Sequence, residues 1–521
     1  MTAIVRPTFH FTMAESIYEK IQNRSAVYNY FLGKSLPFLA EASLTAAPLP
    51  INNIQYEKET RRNIISVKQL QINDVAFVTR RIDWQSGTVY DMFDDSSSVT
   101  LDQLNFYVVT DDYNVYKCID NNYAVQSTVK PAGTDSSGFI TTSDGYVWKF
   151  MYFIPLSLRN KFMTSAYIPV PRQEKNRWYS QGTISNYIIN DGGQDYDPEQ
   201  TYAVVQGDGQ DADIDLVIED GTITGLIIND PGTGYTTASL SVTKGPLDPG
   251  SGADIDLVLS DPGDLDTLQA DVEALTVDGE LSAIKVITSS SGFTSAPTVT
   301  ITGDGEGASA ICNLDVNGKI VSITLTNRGS GYSYANISIA SQGNLTATAR
   351  AITSPVGGHG YHSPRELVAN VLCFYTSFEN ETNHGISVNN DFRQFGIVKD
   401  IEKYNISSKY INDSGSACWK IQGSFTGLNY ASDSTIFTED NTKSLYVISS
   451  ENNQMIVQSL DGSIPEVGDI FTNSAEYDFE ITAITEPDVD RFKGEVLFID
   501  NRLAFTSSSE QSVIFRTFVR F

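Results

Sequence analysis

Hydrophobic residues recur at helical spacing near the start of the chain and at strand spacing through most of the rest. The apolar positions that follow three- and four-residue spacing are Ala14, Ile17, Tyr18 and Ile21. Thr12 followed by Glu15 has the form of a capping box, and Gly33 is a suitable helix stop. The pattern therefore predicts one helix over residues 12–33.

Strand patterns begin near residue 50, and two of them are distinct. Phe106–Val109 and Val115–Ile119 flank the polar segment Thr110–Asn114, which predicts a hairpin. Tyr146–Pro155 is a continuous run of aromatic and aliphatic residues. Such a run predicts a strand that is buried on both faces and ends at its proline, and a short helix is expected to follow at Leu156–Met163.

The chain from 185 to 365 is rich in Gly, Asp, Ser and Thr and contains an internal repeat. A glycine-rich turn ending in an aromatic residue recurs at Gly192–Tyr196, Gly232–Tyr235, Ser291–Phe293, Gly329–Tyr332 and Gly358–Tyr361. Two-residue turns between strands recur at Asp220–Gly221, Asp278–Gly279 and Asn317–Gly318. Tyr196 lies 39 residues before Tyr235, and Phe293 lies 39 before Tyr332. Units this small cannot bury a face alone, so we expect them to pair or stack.

Three further interpretations concern single segments of the chain. The Asn317–Gly318 turn predicts a type I′ hairpin, since Asn-Gly favours positive φ at both central positions. Residues 259–274 interrupt the repeat and are interpreted as an insertion with one short helix. Short alternating strands over 402–490 favour a small barrel or sandwich. Together these patterns predict a mainly β fold with inserted Gly-rich β-repeat modules and a small β domain.

Composition narrows the classes of protein and partner. The chain has 521 residues with 40% hydrophobic and 11% aromatic residues, which is typical of a folding chain with several buried cores. Its formal net charge of −29 disfavours nucleic acid and membranes as partners and leaves basic protein surfaces open. Four widely spaced cysteines favour buried thiols in a reducing cytoplasm. No apolar stretch has the length of a membrane span or a signal peptide, so we expect a soluble protein.

Candidate chemistry is sparse. His359 and His362 have the HxxH spacing of a metal-binding pair, but the sequence offers no third ligand in a recognisable position. The sequence also has no nucleophile-elbow, zinc-protease or phosphate-loop motif, so we predict no enzyme, no cofactor and no metal site. Alternating aspartates in Gly207–Ile218 and Gly250–Leu259 favour a solvated strand face, with calcium binding as the open alternative.

Nine segments outside the repeats match one known family in the family's order. The most distinctive is Asp144–Pro155, with the sequence DGYVWKFMYFIP. The others are Ser25–Phe38, Arg80–Trp84, Gly87–Phe93, Val115–Asp120, Arg177–Trp178, Asp391–Ile397, Lys493–Arg502 and Glu510–Phe521. On these segments the chain resembles the baseplate wedge subunit called gene product eight of T-even-like contractile-tailed phages. The resemblance covers about half of the chain and does not extend to 185–365 or 402–490.

The resemblance implies a layered β-sandwich framework with a few flanking helices. The domain boundaries that it suggests are framework over 1–184, repeats over 185–365, framework over 366–401, the small β domain over 402–490 and framework over 491–521. The two outer portions are expected to close into one shared sandwich. It further implies a non-enzymatic homodimer in the virion tail baseplate, synthesised in the host cytoplasm and bound to other baseplate wedge proteins.

Eight residues are candidates for the framework core or for an interface: Arg80, Arg81, Trp84, Tyr90, Tyr146, Trp148, Arg393 and Phe521. Core packing is the stronger expectation for the aromatic residues. The adjacent arginines can pair with a partner's carboxylates, and a local salt bridge is an equal alternative. Because the chain ends at Phe521 without a polar tail, we expect its last strand to pack into a sheet.

Two other functions stay open from the sequence. The repeats over 185–365 can form a surface module that binds host glycan, which is compatible with a wedge subunit. A β-repeat enzyme acting on polysaccharide would need a pair of carboxylates, and the 64 acidic residues nominate no such pair.

Overall fold

The fold is mainly β, as predicted, with 50% of the chain in strands and 10% in helices. A computed structural model describes residues 7–23, 25–94, 101–134, 138–154, 156–171, 182, 184–198, 200–246, 248–259, 272, 275–378, 391–412, 414–425, 434–451, 453–459, 462–472, 478–506 and 513–521. Arg177–Trp178 and most of the predicted insertion at 259–274 lie outside these residues. None of the described helices has the length and apolar content needed to cross a bilayer.

The helices lie mostly in the first third of the chain. They are α1 Pro7–Gln22, α2 Ile54–Asn63, α3 Leu156–Phe162 and α4 Ser363–Glu366. The predicted helix over 12–33 is wrong at both ends, although Ala14, Tyr18 and Ile21 are buried at the predicted spacing. Residues Tyr28–Gly33 form a strand instead, because they pair with two strands that are remote in sequence. The short helix predicted after residue 155 is confirmed by α3.

The strands in the first half of the chain are β1 Tyr28–Gly33, β2 Ile64–Gln69, β3 Val75–Arg80, β4 Tyr107–Val109, β5 Asn114–Asp120, β6 Ile140–Thr141, β7 Val147–Phe153, β8 Tyr167–Val170, β9 Ile184–Gln194, β10 Thr201–Gly207, β11 Gln210–Glu219, β12 Thr222–Thr233, β13 Ala238–Lys244 and β14 Ser251–Leu259. Those that follow are β15 Leu281–Ser289, β16 Val299–Gly303, β17 Ser309–Leu314, β18 Ile320–Asn327, β19 Ala335–Ile339, β20 Ala347–Thr353, β21 Val371–Phe378, β22 Asp391–Lys399, β23 Glu402–Lys403 and β24 Ser414–Ser416. The last are β25 Trp419–Phe425, β26 Ser434–Thr438, β27 Ser444–Glu451, β28 Gln454–Ser459, β29 Ile470–Thr472, β30 Asp478–Thr485, β31 Val489–Asp490, β32 Glu495–Thr506 and β33 Val513–Arg520.

The chain divides into two compact units. The first unit is Met1–Phe11 with Phe77–Val371, and the second unit is Thr12–Ala76 with Leu372–Phe521. Residues 140–155 therefore lie in the first unit and residues 493–521 in the second. The single sandwich expected to join these portions stays a prediction, as do the predicted domain boundaries.

In the first unit, strands β4, β5, β7 and β6 form an antiparallel sheet, called here the framework sheet. β4 and β5 form the predicted hairpin, and β7 is the predicted buried strand, with five consecutive buried residues. Its core contains the fully buried side chains of Tyr116, Tyr146, Trp148 and Phe150. Alternation is lost in β7 because both faces of the strand are covered.

The repeats form two modules of the same design in the first unit. The first module is β9–β14 and the second is β15–β20. In the first, β9 pairs with β14, β10 with β13 and β11 with β12, and the equivalent pairs in the second are β15 with β20, β16 with β19 and β17 with β18. Each module thus consists of two three-strand repeats paired head to tail. This arrangement buries a face that neither repeat could bury alone.

The recurring aromatic residues close these modules through the backbone. Tyr196 donates its N–H to the carbonyl of Gly221 at 2.8 Å, and Phe293 donates to Gly318 at 2.9 Å. Tyr332 makes the same bond to Gly279 at 3.0 Å. The two motifs found in the sequence, the Gly-aromatic turn and the Asp/Asn-Gly turn, are therefore partners of each other.

The two-residue turns differ in conformation. Asp220 and Gly221 both have positive φ, 49° and 78°, as a type I′ turn requires. At the Asn317–Gly318 turn only the glycine has positive φ, 67°, so the predicted type I′ geometry is wrong there. Asp315 explains the difference, because its carboxylate accepts the N–H groups of Asn317 and Lys319, each at 2.8 Å, and stabilises a wider turn.

The second unit contains a β-sandwich. One layer is a five-stranded sheet in the order β24-β2-β1-β22-β32, and β33 lies beside β21 in another sheet. Tyr30 and Phe395 of the first layer contact Phe515 of β33, with ring centroids 5.4 and 4.7 Å apart. The predicted packing of the last strand into a sheet is confirmed.

The small β domain in the second unit is a closed six-stranded barrel, β25-β28-β27-β26-β29-β30. This confirms the barrel alternative expected within 402–490. Its core consists of ten buried residues, among them Ile421, Ile436 and Phe479. Gln458 in β28 donates to the carbonyls of Arg62 and Ile64, at 2.8 and 3.0 Å, and so fixes the barrel to the point where α2 ends and β2 begins.

Candidate functional site

The two arginines at the end of β3 are held by contacts within the first unit. Arg80 donates to the carbonyl oxygen of Leu104 at 2.9 Å. The Arg81 Nε donates to both carboxylate oxygens of Asp83, at 2.9 and 3.0 Å. The local salt bridge considered from the sequence is therefore formed. A partner contact by either arginine stays a prediction.

Four of the candidate aromatic residues lie together in and beside the framework core. Tyr146 stacks on Trp148 with centroids 5.4 Å apart, and Tyr90 meets the same indole edge-on at 5.8 Å. Trp84 packs against this cluster half-buried, and its Nε1–H donates to Ser127 Oγ at 3.2 Å. Tyr90, Tyr146 and Trp148 are at most 2% exposed, so they act as core residues in this unit.

Asp144, which begins the DGYVW segment, organises the loop before β7. Its carboxylate accepts the N–H groups of Thr128 and Val129, at 2.7 and 2.9 Å, and the hydroxyl of Thr142. Burial alone would raise the pKa of Asp144, but these hydrogen bonds stabilise the charged form and hold it below the usual value. The carboxylate thereby pins the loop that carries Tyr146 and Trp148 into the core.

Arg393 lies in the second unit and is 5% exposed. Its guanidinium pairs with Glu41 at 2.6 Å and with Asp391 at 3.0 Å, and it donates to the Ser35 carbonyl. The guanidinium group of Arg393 thus fixes the segment before α2 to strand β22. Phe521 is half-buried just beyond the end of β33, far along the chain from the other candidates.

The first unit also contains a buried cluster of polar side chains that was not predicted from the sequence. Lys117 in β5 is fully buried, and its Nζ lies 2.8 Å from Glu366 Oε2 and 2.9 Å from His359 Nδ1. His359 Nε2 lies 2.6 Å from Ser282 Oγ in β15. Glu366 also accepts the N–H groups of Gly360 and His362, at 2.9 and 3.0 Å. We call these four side chains the Lys117 cluster.

Donor chemistry fixes the tautomer of His359 in this cluster. A lysine ammonium has donors and no acceptor, so His359 Nδ1 must accept from Lys117. The ring is then neutral, and Nε2 carries the hydrogen that is donated to Ser282 Oγ. Burial, reinforced by the Lys117 ammonium, holds the pKa of His359 well below its usual value.

The cluster joins the framework sheet to the second module, and two further contacts span the same junction. Asp94, 5% exposed, forms an ion pair with Arg350 of β20 and lies 3.7 Å from Lys285 of β15. The Tyr123 hydroxyl accepts the N–H of Ile323 in β18 at 3.1 Å. The second module is therefore anchored to the framework by buried and half-buried polar contacts.

The two histidines of the HxxH pair make separate contacts. His359 is engaged with Lys117 and Ser282, while the His362 ring accepts the N–H of Arg365 at 3.3 Å and caps α4. Among the described residues, no three His, Cys, Asp or Glu side chains are grouped as metal ligands. The Asp208 carboxylate accepts from Thr236 and Thr237, and Asp304 accepts from Ser333 and Tyr334 in the same way.

One sequence signal could have pointed to the Lys117 cluster. Lys117 interrupts the apolar strand VYKCID, and a lysine in a buried strand requires a carboxylate partner. Nothing in the sequence identifies Glu366, which is 249 residues away, as that partner. A scan against known protein families and a search of curated proteins each found no match to the chain.

Proposed function

We propose that this protein is a structural subunit of the baseplate wedge in a contractile phage tail. It would act as a homodimer, bind neighbouring wedge proteins during tail assembly, and reside in the virion. The proposal rests on the resemblance of the segments outside the repeats to the gene product eight family of T-even-like phages.

The arrangement of those segments in the fold supports the resemblance. Ser25–Phe38 contains β1, Asp391–Ile397 lies in β22, and Lys493–Arg502 lies largely in β32. These segments are far apart in the sequence, yet β22 pairs with β1 on one side and with β32 on the other. Phe515, in the last resembling segment, packs on β1 and β22. Residues that build one core are the ones a family would hold in common, and this is the observation that carries the proposal.

The first unit adds a second group of the same kind. Val115–Asp120 lies in β5 and Asp144–Pro155 contains β7, and these two strands pair along their length. Gly87–Phe93 contributes Tyr90 to the same core. The hydrogen bond between His359 and Ser282 in this unit is buried, with each residue 1% exposed. Such burial favours a structural role for the contact over turnover of a substrate.

The test is co-expression of the full chain with the other wedge proteins encoded in the same phage genome. We expect a dimer of this chain alone and a stoichiometric complex with at least one wedge protein, measured by light scattering after size-exclusion chromatography. A chain that stays monomeric and joins no complex would overturn the proposal.

The two alternative functions, glycan binding and cleavage of polysaccharide, are tested on the same preparation. Binding of the full chain to a glycan array, without any complex with wedge proteins, would favour the surface module expected at 185–365. Release of oligosaccharides from a host polysaccharide would favour an enzyme. The wedge proposal expects complex formation whether or not glycan is bound, and no release of oligosaccharides.

A further inference from the structure

His359 lies at the centre of the junction between the framework sheet and the second module. It accepts a hydrogen bond from Lys117 of β5 and donates one to Ser282 of β15, so it links the two elements directly. Its side chain is fully buried, and the rings of Phe93 and Phe139 meet it edge-on at 5.4 and 6.0 Å. Water therefore has no direct access to the imidazole in the closed state.

The charged groups around this imidazole are mostly cationic. Lys117 on β5, Lys149 on β7 and Arg328 just after β18 all disfavour a positive charge on it. The carboxylates on this side are Glu366 of α4, whose Oε2 is 4.0 Å from His359 Nδ1, and Glu280 just before β15. Glu366 is already paired with Lys117 at 2.8 Å. Burial raises the pKa of Glu280, although the nearby cations Arg328, Lys149 and Lys117 oppose the shift.

We infer that His359 is an acid-sensitive latch that holds the second module on the framework sheet. Protonation would place a hydrogen on Nδ1, 2.9 Å from an ammonium that has no acceptor. The Lys117–His359 hydrogen bond would be lost, and two cations would face each other in a buried site. The junction is then expected to open locally, because exposure to water is the simplest way to accommodate both charges. This inference is independent of the proposed function.

The direction of the pH dependence follows from linkage. The folded pKa of His359 lies below that of the open state, whose ordinary value is 6.5. Below that value the open state binds the extra proton, so closure weakens as pH falls toward the folded pKa. For each proton that is taken up on opening, the equilibrium constant for closing falls by up to about tenfold per unit decrease in pH. The latch is closed above pH 6.5 and opens progressively in acid.

The experiment is hydrogen exchange with mass spectrometry on the full chain at pH 7.5 and 5.5, expressed as protection factors. We expect peptides covering β15 to lose up to about tenfold in protection at pH 5.5 in the wild-type protein. The variant His359→Asn, which keeps an acceptor for Lys117 and cannot titrate, should have the same protection at both pH values. His362→Asn is the matched control, since asparagine is a good N-cap for α4, and it should behave as wild type.

Two results would overturn the inference. One is equal protection of β15 in the wild-type protein at the two pH values. This result is decisive even if His359→Asn does not fold. The other is an equal loss of protection in wild type and in His359→Asn, which would assign the acid response to a different group.

Discussion

The framework sheet and the second module are both β structures in the first unit, but they bury their cores in different ways. The framework core is built from large, fully buried rings, with Tyr116, Tyr146, Trp148 and Phe150 all at 0% exposure. The core cluster of the second module contains Phe293 with four small or aliphatic residues, Tyr332 is the other buried ring among its described residues, and half-buried aliphatic side chains pack around the cluster. A sheet with rings of this size contributes most of its own stability, whereas a thin module depends more on its turns and on its anchors.

This difference matches the division of the sequence. The framework strands carry the segments that resemble the wedge family, and the modules do not. A module inserted into an existing framework has to be fixed to it, and the Lys117 cluster, the Asp94 ion pairs and the Tyr123 hydroxyl are the contacts that do so. The comparison therefore predicts that substitutions in the framework core, at the junction and inside the second module lower stability by different amounts.

The largest expected effect is in the framework core. Trp148→Ala should lower the free energy of unfolding of the first unit by about 4 kcal/mol, because it removes a fully buried indole. Urea unfolding followed by near-ultraviolet circular dichroism measures this change. Val316→Ala, fully exposed in the β17–β18 turn, is the control and should stay within about 0.5 kcal/mol of wild type. Equal losses in the two variants would contradict the assignment of the main core to the framework sheet.

The next effect is at the junction. Glu366→Gln should cost about 3 kcal/mol, because it leaves the Lys117 ammonium buried without its carboxylate. The double variant Lys117→Met with Glu366→Gln should cost clearly less than the sum of the two single variants. Urea unfolding of all four proteins completes the cycle. Additive losses would mean that Lys117 and Glu366 do not depend on each other.

A smaller effect is expected inside the module. Gly329 has a φ of +64°, and a Cβ there would lie 2.5 Å from the Glu306 carbonyl oxygen, so Gly329→Ala should cost about 2 kcal/mol. Gly343 has a φ of +61° with open space around it, so Gly343→Ala should cost only about 1 kcal/mol. Hydrogen exchange in β17 and β18 reports the loss. If framework peptides lose the same protection, the module and the framework unfold together and the comparison fails.

The smallest effect on stability is expected at the arginine pair. Arg81→Gln breaks an ion pair with Asp83 whose partners are 30% and 50% exposed, so unfolding should change by less than about 1 kcal/mol. Loss of a wedge complex in this variant, with the thermal midpoint unchanged, would identify Arg81 as an interface residue. An intact complex would mean that Arg81 serves only in the local salt bridge with Asp83.

Local patterns predicted the elements whose determinants are close in sequence. The β4–β5 hairpin, the buried strand β7 and the barrel strands each lie within a short window, and their alternation or apolar run was sufficient. The repeat was also visible, because Tyr196 and Tyr235 are 39 residues apart and so are Phe293 and Tyr332. Its strand pairing was not, since spacing alone does not tell which strand of one repeat meets which strand of the next.

Long-range contacts account for what the sequence did not predict. The prediction extends the helix to residue 33 because Gly33 is a suitable helix stop, but pairing with β2 and β22 makes residues 28–33 a strand. The turn at Asn317 departs from type I′ because of the neighbouring Asp315 side chain. The Lys117 cluster joins residues from three distant segments, around 117, 282 and 359–366, so a single lysine in a buried strand is its one local trace.

The central claim is that this chain is a structural part of a phage baseplate wedge. A cryo-electron microscopy map of the contractile tail that carries this chain tests it most directly. We predict density for the chain in the baseplate wedge, with the framework sheet and the second-unit sandwich recognisable at contacts with neighbouring wedge proteins. Density elsewhere in the particle, or no density for the chain in an intact tail, would contradict the account.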